Sequence, residues 1–339
     1  MKKIKVLIVD DSSVVRKMLG YIFSRDPEIE VIGTASDGEE AIAKVQSLKP
    51  DVVTMDLHMP KLDGYETTRR IMETYPVPIV IVTAIESVTE VKNSMKVIEA
   101  GALAALKKPP GIGSPEFAAH QEDFIRKIKL YSEVKLVKRT KKNKEPVIGE
   151  RLKNEIKVIA IGASTGGPPV LQGILSRLPE NLSCPVLIVQ HMTEGFTEGF
   201  AEWLNEYSSN PVQLARDRGV ILPGNVYIAP DGFQMKIENG MISLTKDELV
   251  GNLRPSVSYL FRSIARVFGK GSIGILLTGM GRDGAAELKL MKDKGAITIA
   301  QDKESCVVFG MPGEAINLDA ATYVLSPEKI SDFIAGVMS

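Results

Sequence analysis

The chain has 339 residues, 44% hydrophobic and 25% charged, which is typical of a globular protein of about two domains. Lysine plus arginine and aspartate plus glutamate both total 42, so the net charge is zero, which argues against nucleic-acid binding. Two cysteines exclude a disulfide scaffold, and no apolar run reaches the ~18 residues of a membrane span. We therefore expect a cytoplasmic protein that is not inserted in a membrane.

Residues 1–109 alternate between short apolar strands and amphipathic helices. The predicted strands are Lys5–Val9, Val31–Ala35, Val52–Met55, Ile79–Val82 and Ala102–Leu106, and the predicted helices include Ser13–Phe23 and Gly38–Leu48. Strands that are apolar at consecutive positions are typical of a parallel sheet covered on both faces. This segment is thus predicted to be a doubly wound α/β domain with right-handed crossovers.

Residues 110–153 are predicted to form a helix and a basic linker. Ser114-Pro115-Glu116 has the composition of a helix start. The segment Arg126–Lys144 holds nine basic residues and one acidic residue, which favours a solvated helix end, with docking to a partner or a membrane surface as the alternative. A flexible boundary is expected at residues 139–153.

Residues 154–339 repeat the α/β pattern, which predicts a second doubly wound, Rossmann-like domain with three layers. Its predicted elements are strands at Lys157–Ile161, Pro185–Gln190, Asn225–Ala229, Ile273–Leu277 and Ala296–Ala300, a helix at Val170–Leu178, and a hairpin at Met235–Thr245. The hairpin turns at Glu238-Asn239-Gly240.

Five functional side chains stand at strand ends of the first domain: Asp10, Asp11, Asp56, Thr83 and Lys108. Parallel strands end at one edge of the sheet, where ligands bind, so these side chains are expected to converge. Three carboxylates placed together need a cation, and oxygen ligands suit Mg²⁺. The lysine and the threonine hydroxyl can bind an anion attached to one of the acids.

The first strand of the second domain ends in a glycine-rich turn that contains Ser164. Such a turn projects the hydroxyl at the sheet edge beside the positive end of a helix. Three interpretations remain open from the turn alone: a structural turn, a phosphate-binding loop, and a nucleophile elbow of the Gly-x-Ser-x-Gly type. The phosphate loop is disfavoured because the Walker lysine is absent.

A histidine and an aspartate at other strand ends favour the nucleophile. His191 follows the second strand, and Asp283 lies in the glycine-rich loop after the fourth. A serine needs a base to take its proton, and the base needs a third group to orient it. The chain has only three histidines, and none lies beyond His191, so an α/β-hydrolase with a late histidine is excluded.

The acid cluster of residues 4–109 resembles the receiver domain of two-component response regulators, which has a flavodoxin-like fold. The resemblance implies that Asp56 accepts a phosphoryl group from a chemotaxis histidine kinase, with Mg²⁺ on Asp10, Asp11 and Asp56. Thr83 and Lys108 would then be the switch residue and the phosphate contact.

The second domain resembles the CheB family, chemotaxis response regulators that act as protein-glutamate methylesterases. The motifs that carry the resemblance are Gly162-Ala163-Ser164-Thr165-Gly166-Gly167, Gln190-His191-Met192, Arg254-Pro255-Ser256-Val257 and the loop Thr278–Ala285. The resemblance implies hydrolysis of glutamate γ-methyl esters on the cytoplasmic helices of chemoreceptors, with deamidation of selected glutamines as a second activity. No cofactor is expected for the esterase.

By position, the resemblance makes Ser164 the nucleophile, His191 the general base and acid, and Asp283 its orienting group. It also implies that the Met280 backbone donates to the oxyanion and that Gly281 and Thr165 are neighbours in the active site.

Three positions depart from the family patterns. Receivers usually have an aromatic switch residue where this chain has Ala105, so another route must carry the signal. The family often has an acid at Ser258 and a histidine at Gln234, and we expect these two differences to affect substrate fit rather than chemistry.

A receiver joined to an esterase predicts gating, in which residues 1–109 inhibit the Ser164 site until Asp56 is phosphorylated. A coupling free energy of about 1–3 kcal/mol would be typical. The rival hypothesis is a non-catalytic output domain that binds a partner or nucleotide through the glycine-rich turn.

Overall fold

The structure is a computed structural model of the 339-residue chain and describes residues 3–84, 87–111, 113–134, 156–180 and 182–338. The chain divides into two compact units, Met1–Leu136 and Val137–Ser339. The division falls inside the segment 110–153 that the sequence predicts to join two domains. The expected flexible boundary at residues 139–153 lies outside the described residues.

The first unit alternates strands and helices around one parallel sheet. Its elements are β1 (Ile4–Val9), α1 (Ser13–Ser24), β2 (Ile29–Ala35), α2 (Gly38–Leu48), β3 (Val52–Met55), α3 (Gly64–Thr74), β4 (Ile79–Thr83), α4 (Val88–Glu99), β5 (Ala104–Lys107) and α5 (Phe117–Ser132). The strand order is β2-β1-β3-β4-β5. The direction in which successive strands are added changes between β1 and β3, as in flavodoxin-like folds.

Local chemistry explains where helices of the first unit begin. The side chains of Ser12, Asp37 and Asp63 each accept a hydrogen bond from a backbone N–H in the first turn of α1, α2 and α3. β3 and β4 are buried at every position, because helices cover both faces of the sheet.

The second unit is built on a seven-stranded parallel sheet. Its elements are β6 (Val158–Ala163), α6 (Gly167–Leu175), β7 (Val186–Gln190), α7 (Thr197–Tyr207), β8 (Val212–Leu214), β9 (Val226–Ile228), β10 (Gln234–Glu238), β11 (Met241–Thr245), α8 (Val257–Val267), β12 (Ser272–Leu276), α9 (Ala285–Asp293), β13 (Ile297–Gln301), α10 (Met311–Asn317), β14 (Tyr323–Leu325) and α11 (Pro327–Met338). The strand order β14-β13-β12-β6-β7-β9-β8 places β6 at the centre, where the winding reverses. The predicted fold class, two doubly wound parallel sheets, is confirmed.

The predicted hairpin is also present. β10 and β11 pair antiparallel from Gln234↔Thr245 to Glu238↔Met241. Asn239 and Gly240 have φ of 51° and 75°, the positive values that a tight hairpin turn requires.

Two predicted helix boundaries are wrong. α6 runs over Gly167–Leu175 rather than Val170–Leu178, because Pro168 and Pro169 fit the first turn, where no hydrogen-bonded N–H is needed. α5 begins at Phe117 rather than at Ser114, because Ser114 forms a separate turn in which its carbonyl accepts from the Phe117 N–H at 3.0 Å.

Two further expectations concern composition. Cys184 and Cys306 are both free and buried, so they form no disulfide with each other. In the part of the chain that the structure describes, no helix combines the length and the apolar character needed to cross a bilayer.

Candidate functional site

The acid cluster of the first unit lies at the carboxyl ends of β1 and β3. Asp10, Asp11 and Asp56 place carboxylate oxygens within 4.8 Å of one another. Lys108 Nζ lies 2.8 Å from Asp10 Oδ2 and 3.1 Å from Asp56 Oδ2. The Lys108 N–H also donates to the carbonyl of Thr83 at 2.9 Å, which holds the ends of β4 and β5 together. The structure therefore brings together the side chains of Asp10, Asp11, Asp56 and Lys108. Thr83 ends the neighbouring strand β4, where its hydroxyl donates to the Ala84 carbonyl at 3.3 Å.

The electrostatics of this cluster favour a bound cation. Burial, and then the neighbouring charge of Asp10, raise the pKa of Asp56 above its ordinary value, although Lys108 opposes the change. The crowded carboxylates are hard oxygen donors, which fits the donor set that Mg²⁺ prefers. Ala105, at the position of the missing aromatic, is buried in β5.

In the second unit, strand pairing brings Ser164 and His191 side by side. β6 and β7 pair in parallel up to Ala163↔Gln190, and each functional residue comes next in its strand direction. The His191 N–H donates to the Ala163 carbonyl at 2.9 Å, which extends this pairing by one step. Neighbouring strands lie about 4.8 Å apart, so the two side chains are held in adjacent positions.

The histidine is bound to the predicted aspartate. His191 Nε2 lies 2.9 Å from Asp283 Oδ2, and both side chains are mostly buried. An ionised carboxylate can only accept, so Nε2 carries the proton and Nδ1 is left to act as an acceptor. Among the described residues no hydrogen bond joins the Ser164 hydroxyl to this ring. Catalytic bonds are often long without substrate and shorten in the complex.

Asp283 is held by the N-terminus of α8 as well as by His191. Ser256 Oγ and the Ser258 N–H donate to Asp283 Oδ1 at 2.8 and 3.1 Å, and the Val257 N–H donates to Oδ2 at 2.7 Å. Helix N-termini favour negative charge because their N–H groups are free to donate. Burial alone would raise the pKa of Asp283, but hydrogen bonding and charge from His191, with bonds from Ser258 and Ser256, lower it to about 2. Asp283 therefore stays ionised throughout the neutral range.

Sequence reasoning missed this support, to which two of the positions that depart from the family pattern contribute. Ser258 Oγ accepts from the Gly284 N–H at 2.9 Å, next to Asp283. Gln234 Oε1 accepts from the Ser256 N–H at 2.9 Å. Both positions therefore lie next to groups that contact Asp283, and their effect on substrate fit remains a prediction. The motif Arg254-Pro255-Ser256-Val257 is the signal in the sequence that could indicate this support.

Ser256→Ala is expected to lower kcat about tenfold, because a hydrogen bond to a charged group contributes about 1.5–3 kcal/mol and part of that orients Asp283. The matched control is Ser272→Ala. Ser272 is also buried and donates to the Gly269 carbonyl at 2.7 Å, but it lies at the amino end of β12, away from the site. Release of methanol, the product that the family resemblance implies, and thermal unfolding should be measured for both variants. A Ser256→Ala enzyme with wild-type kcat would contradict this role.

The loop after β12 packs directly against the serine. The Ser164 N–H donates to the Thr278 carbonyl at 3.0 Å. A Cβ added to Gly279 would lie 2.7 Å from the Ser164 Cβ, so only glycine permits this approach. Within the described residues the next N–H along the loop, that of Met280, has no protein acceptor, as an oxyanion donor requires.

Gly281 and Thr165 are the other two predicted neighbours of Ser164 in the active site. Gly281 follows Met280 with φ of 82°, which glycine adopts readily. Thr165 is buried beside Ser164, and its carbonyl accepts from Thr278 Oγ1 at 3.0 Å. In the described segments its hydroxyl makes no hydrogen bond to His191.

Comparisons with known families agree with this division of the chain. Residues 6–114 match the family model described as response regulator receiver domain, and residues 159–334 match the one described as CheB methylesterase. The crystal structure of the Thermotoga maritima CheB methylesterase catalytic domain is 39% identical, with a TM-score of 0.52, and the match covers 54% of this chain and 98% of that one.

Two similar proteins extend over nearly the whole length. One from Nitrosospira multiformis, named protein-glutamate methylesterase/protein-glutamine glutaminase, is 53% identical over 99% of this chain and 97% of its own. Another from Syntrophus aciditrophicus, named protein-glutamate methylesterase/protein-glutamine glutaminase 1, is 52% identical over 97% of this chain and 96% of its own.

Proposed function

The chain belongs to the CheB methylesterase family, and from that premise we propose that it is a phosphorylation-regulated protein-glutamate methylesterase that uses Ser164, His191 and Asp283 as its catalytic triad. Its substrates are glutamate γ-methyl esters on the cytoplasmic domains of chemoreceptors, and its role is in chemotaxis adaptation. The observation that carries the assignment of the triad is the bond between His191 Nε2 and Asp283 Oδ2, at 2.9 Å, beside the strand end that bears Ser164.

The geometry supports a covalent mechanism in two halves. Ser164 Oγ attacks the ester carbonyl while its proton passes to His191 Nδ1, and the Met280 N–H donates to the developing oxyanion. The tetrahedral intermediate expels methanol, which receives the proton from His191. Water then attacks the acyl-enzyme with the same nitrogen as base and releases the glutamate carboxylate. Asp283 orients the ring and stabilises the imidazolium in both halves.

Deamidation uses the same groups. A glutamine side chain presents a carbonyl in the same position, and ammonia takes the place of methanol as the leaving group. The names of the full-length relatives include this activity, which supports it here.

Methanol release from methylated receptor membranes tests the assignment. The full chain is expected to release methanol, and a serine-directed organophosphonate is expected to label Ser164 and stop the release. Failure of the phosphonate to form an adduct, together with no methanol release, would favour the non-catalytic output domain instead.

The first unit is the proposed regulatory input. Asp56 accepts a phosphoryl group from a chemotaxis histidine kinase, and Lys108 and Thr83 bind its oxygens. Asp10, Asp11 and Asp56 would hold Mg²⁺, which neutralises negative charge on the transferring group when bound. The carboxylate oxygens within 4.8 Å of one another and the adjacent Lys108 Nζ support this assignment.

A small phosphodonor with Mg²⁺ is expected to raise methanol release by about 5–150-fold, the range that a coupling of 1–3 kcal/mol produces. Asp56→Asn should abolish that rise and leave the basal rate unchanged, because the acceptor carboxylate is lost while the esterase is intact. Removal of Mg²⁺ with a chelator should have the same effect.

The control for this experiment is Asp63→Asn. Asp63 lies in the same unit, where its carboxylate caps α3 by accepting from the Glu66 N–H at 2.8 Å, and asparagine caps helices equally well. Stimulation of the Asp56→Asn protein to the level of the Asp63→Asn protein would rule out Asp56 as the acceptor.

A further inference from the structure

A buried glutamine side chain joins the backbones of the nucleophile and the base. Gln190 is the last residue of β7 and is only 2% exposed. Its Nε2 donates to the Ser164 carbonyl at 2.9 Å and to the His191 carbonyl at 2.8 Å. One amide group therefore uses both of its N–H donors on the two residues that must exchange a proton.

These two bonds begin where the β-sheet ladder stops. The pairing of β6 with β7 ends at Ala163↔Gln190, followed only by the His191 N–H to Ala163 carbonyl bond. Beyond that point the two segments enter separate loops, and among the described residues no further ladder bond joins them. The Gln190 amide provides the cross-link at the position where the separation of Ser164 and His191 is set.

The oxygen of the same amide is buried at a cost in folding free energy. Gln190 Oε1 is buried and, among the described residues, has no hydrogen-bond partner. A buried acceptor without a partner destabilises the folded protein. A Cβ added to Gly167 would lie 2.2 Å from this oxygen, so the first residue of α6 must be glycine for the amide to fit. A side chain kept in this arrangement is held for its two donors rather than for its acceptor.

We propose that Gln190 is a positioning residue of the esterase, which sets the distance between Ser164 Oγ and the His191 ring by binding both backbone carbonyls. The proposal rests on the proposed function of Ser164 and His191. Displacement of a reacting group by about 1 Å can cost 10²-fold in rate, so loss of this cross-link should act on the proton transfer and not on substrate binding.

The test is Gln190→Met, which keeps the length of the side chain and removes both donors. In the full chain, kcat for methanol release should fall about 30–100-fold, while KM changes less than about twofold. The same substitution should be made in a His191→Gln background, where it should change the residual rate less than about twofold because the base it positions is absent. A loss that is equal in both backgrounds, or a wild-type kcat in the folded variant, overturns the proposal.

A matched control is Asn210→Leu. Asn210 is another fully buried amide of this unit, donates to the Pro179 carbonyl at 2.9 Å, and also has a buried oxygen without a partner in the described chain. This variant should lose stability and keep its kcat. If Gln190→Met does not fold, Gln190→Glu replaces it in the test, because glutamate keeps the shape but cannot donate both bonds. An equal loss in both backgrounds, or a wild-type kcat, again overturns the proposal.

Ser164→Ala distinguishes a failure of the proposed triad from a failure of the proposed role of Gln190. If Ser164→Ala keeps its activity, the proposed triad is wrong. If Ser164→Ala is inactive and Gln190→Met has wild-type kcat, the triad stands and the role of Gln190 is wrong.

Discussion

Ser164→Ala is expected to reduce methanol release from methylated receptor membranes by more than about 10⁴-fold, because no acyl-enzyme can form without the hydroxyl. The residue lies beside His191 at the paired ends of β6 and β7, and the Gly279 loop packs against its Cβ. Alanine keeps that packing, so the variant should fold and bind receptor normally. The measurement is kcat with saturating methylated membranes, together with the loss of phosphonate labelling.

Ser176→Ala is the control for this substitution. Ser176 follows α6 in the same unit and is exposed, and its hydroxyl donates to the Gly173 carbonyl at 3.2 Å. Its activity should equal that of the wild type. Turnover by Ser164→Ala within a hundredfold of the wild type would remove the covalent mechanism, since water attack without a nucleophile cannot reach that rate.

Asp283→Asn is expected to lower kcat by about 10³–10⁴-fold with little effect on KM. Four donors face this carboxylate: His191 Nε2, Ser256 Oγ and the N–H groups of Val257 and Ser258. An amide has one acceptor oxygen, so its NH₂ group must take the place of one carboxylate oxygen. It then faces either Ser256 Oγ and the Ser258 N–H, or His191 Nε2 and the Val257 N–H. An NH₂ group that donates to Nε2 forces the proton onto Nδ1, which then cannot accept from Ser164.

The control is Asp217→Asn, an exposed aspartate of the same unit that accepts from the Leu244 N–H at 2.9 Å and can still do so as asparagine. Nitrogen NMR of the His191 ring provides a second readout. The wild type should carry the proton on Nε2 and Asp283→Asn should carry it on Nδ1. Full activity of Asp283→Asn, or the same tautomer in both proteins, would exclude the orienting role.

Much of the fold can be predicted from the local pattern of apolar and polar residues. β3 and β4 are predicted within one residue because each is a short, mostly apolar run bounded by polar residues or by proline. β8 and β14 are not predicted, because each has only three residues, lies at an edge of the sheet and is partly exposed. β9 is equally short but is buried at every position, and its apolar run is predicted. The start of α6 is missed for a related reason, since Gly167 lacks an apolar side chain to mark the helix.

The candidate site was predictable where a side chain follows directly from a strand end. Asp10 and Asp56 follow strand ends of the first sheet, and His191 follows a strand end of the second. Strand pairing within each sheet sets these positions independently of the loops. Ser256 was not predictable in this way. It contacts Asp283 from a position 27 residues away, because the N-terminus of α8 is directed at the loop after β12.

The order of apolar and polar residues along the chain therefore determined that there are two parallel α/β domains. It also determined which acids, serine and histidine lie at the carboxyl edges of their sheets, because a strand ends where an apolar run gives way to polar residues. Tertiary structure alone decided which ring nitrogen of His191 contacts Asp283, which helix end stabilises that carboxylate, and that the Gln190 amide spans the carbonyls of Ser164 and His191. These are distances of about 3 Å between atoms of separate elements, and packing rather than sequence pattern sets them.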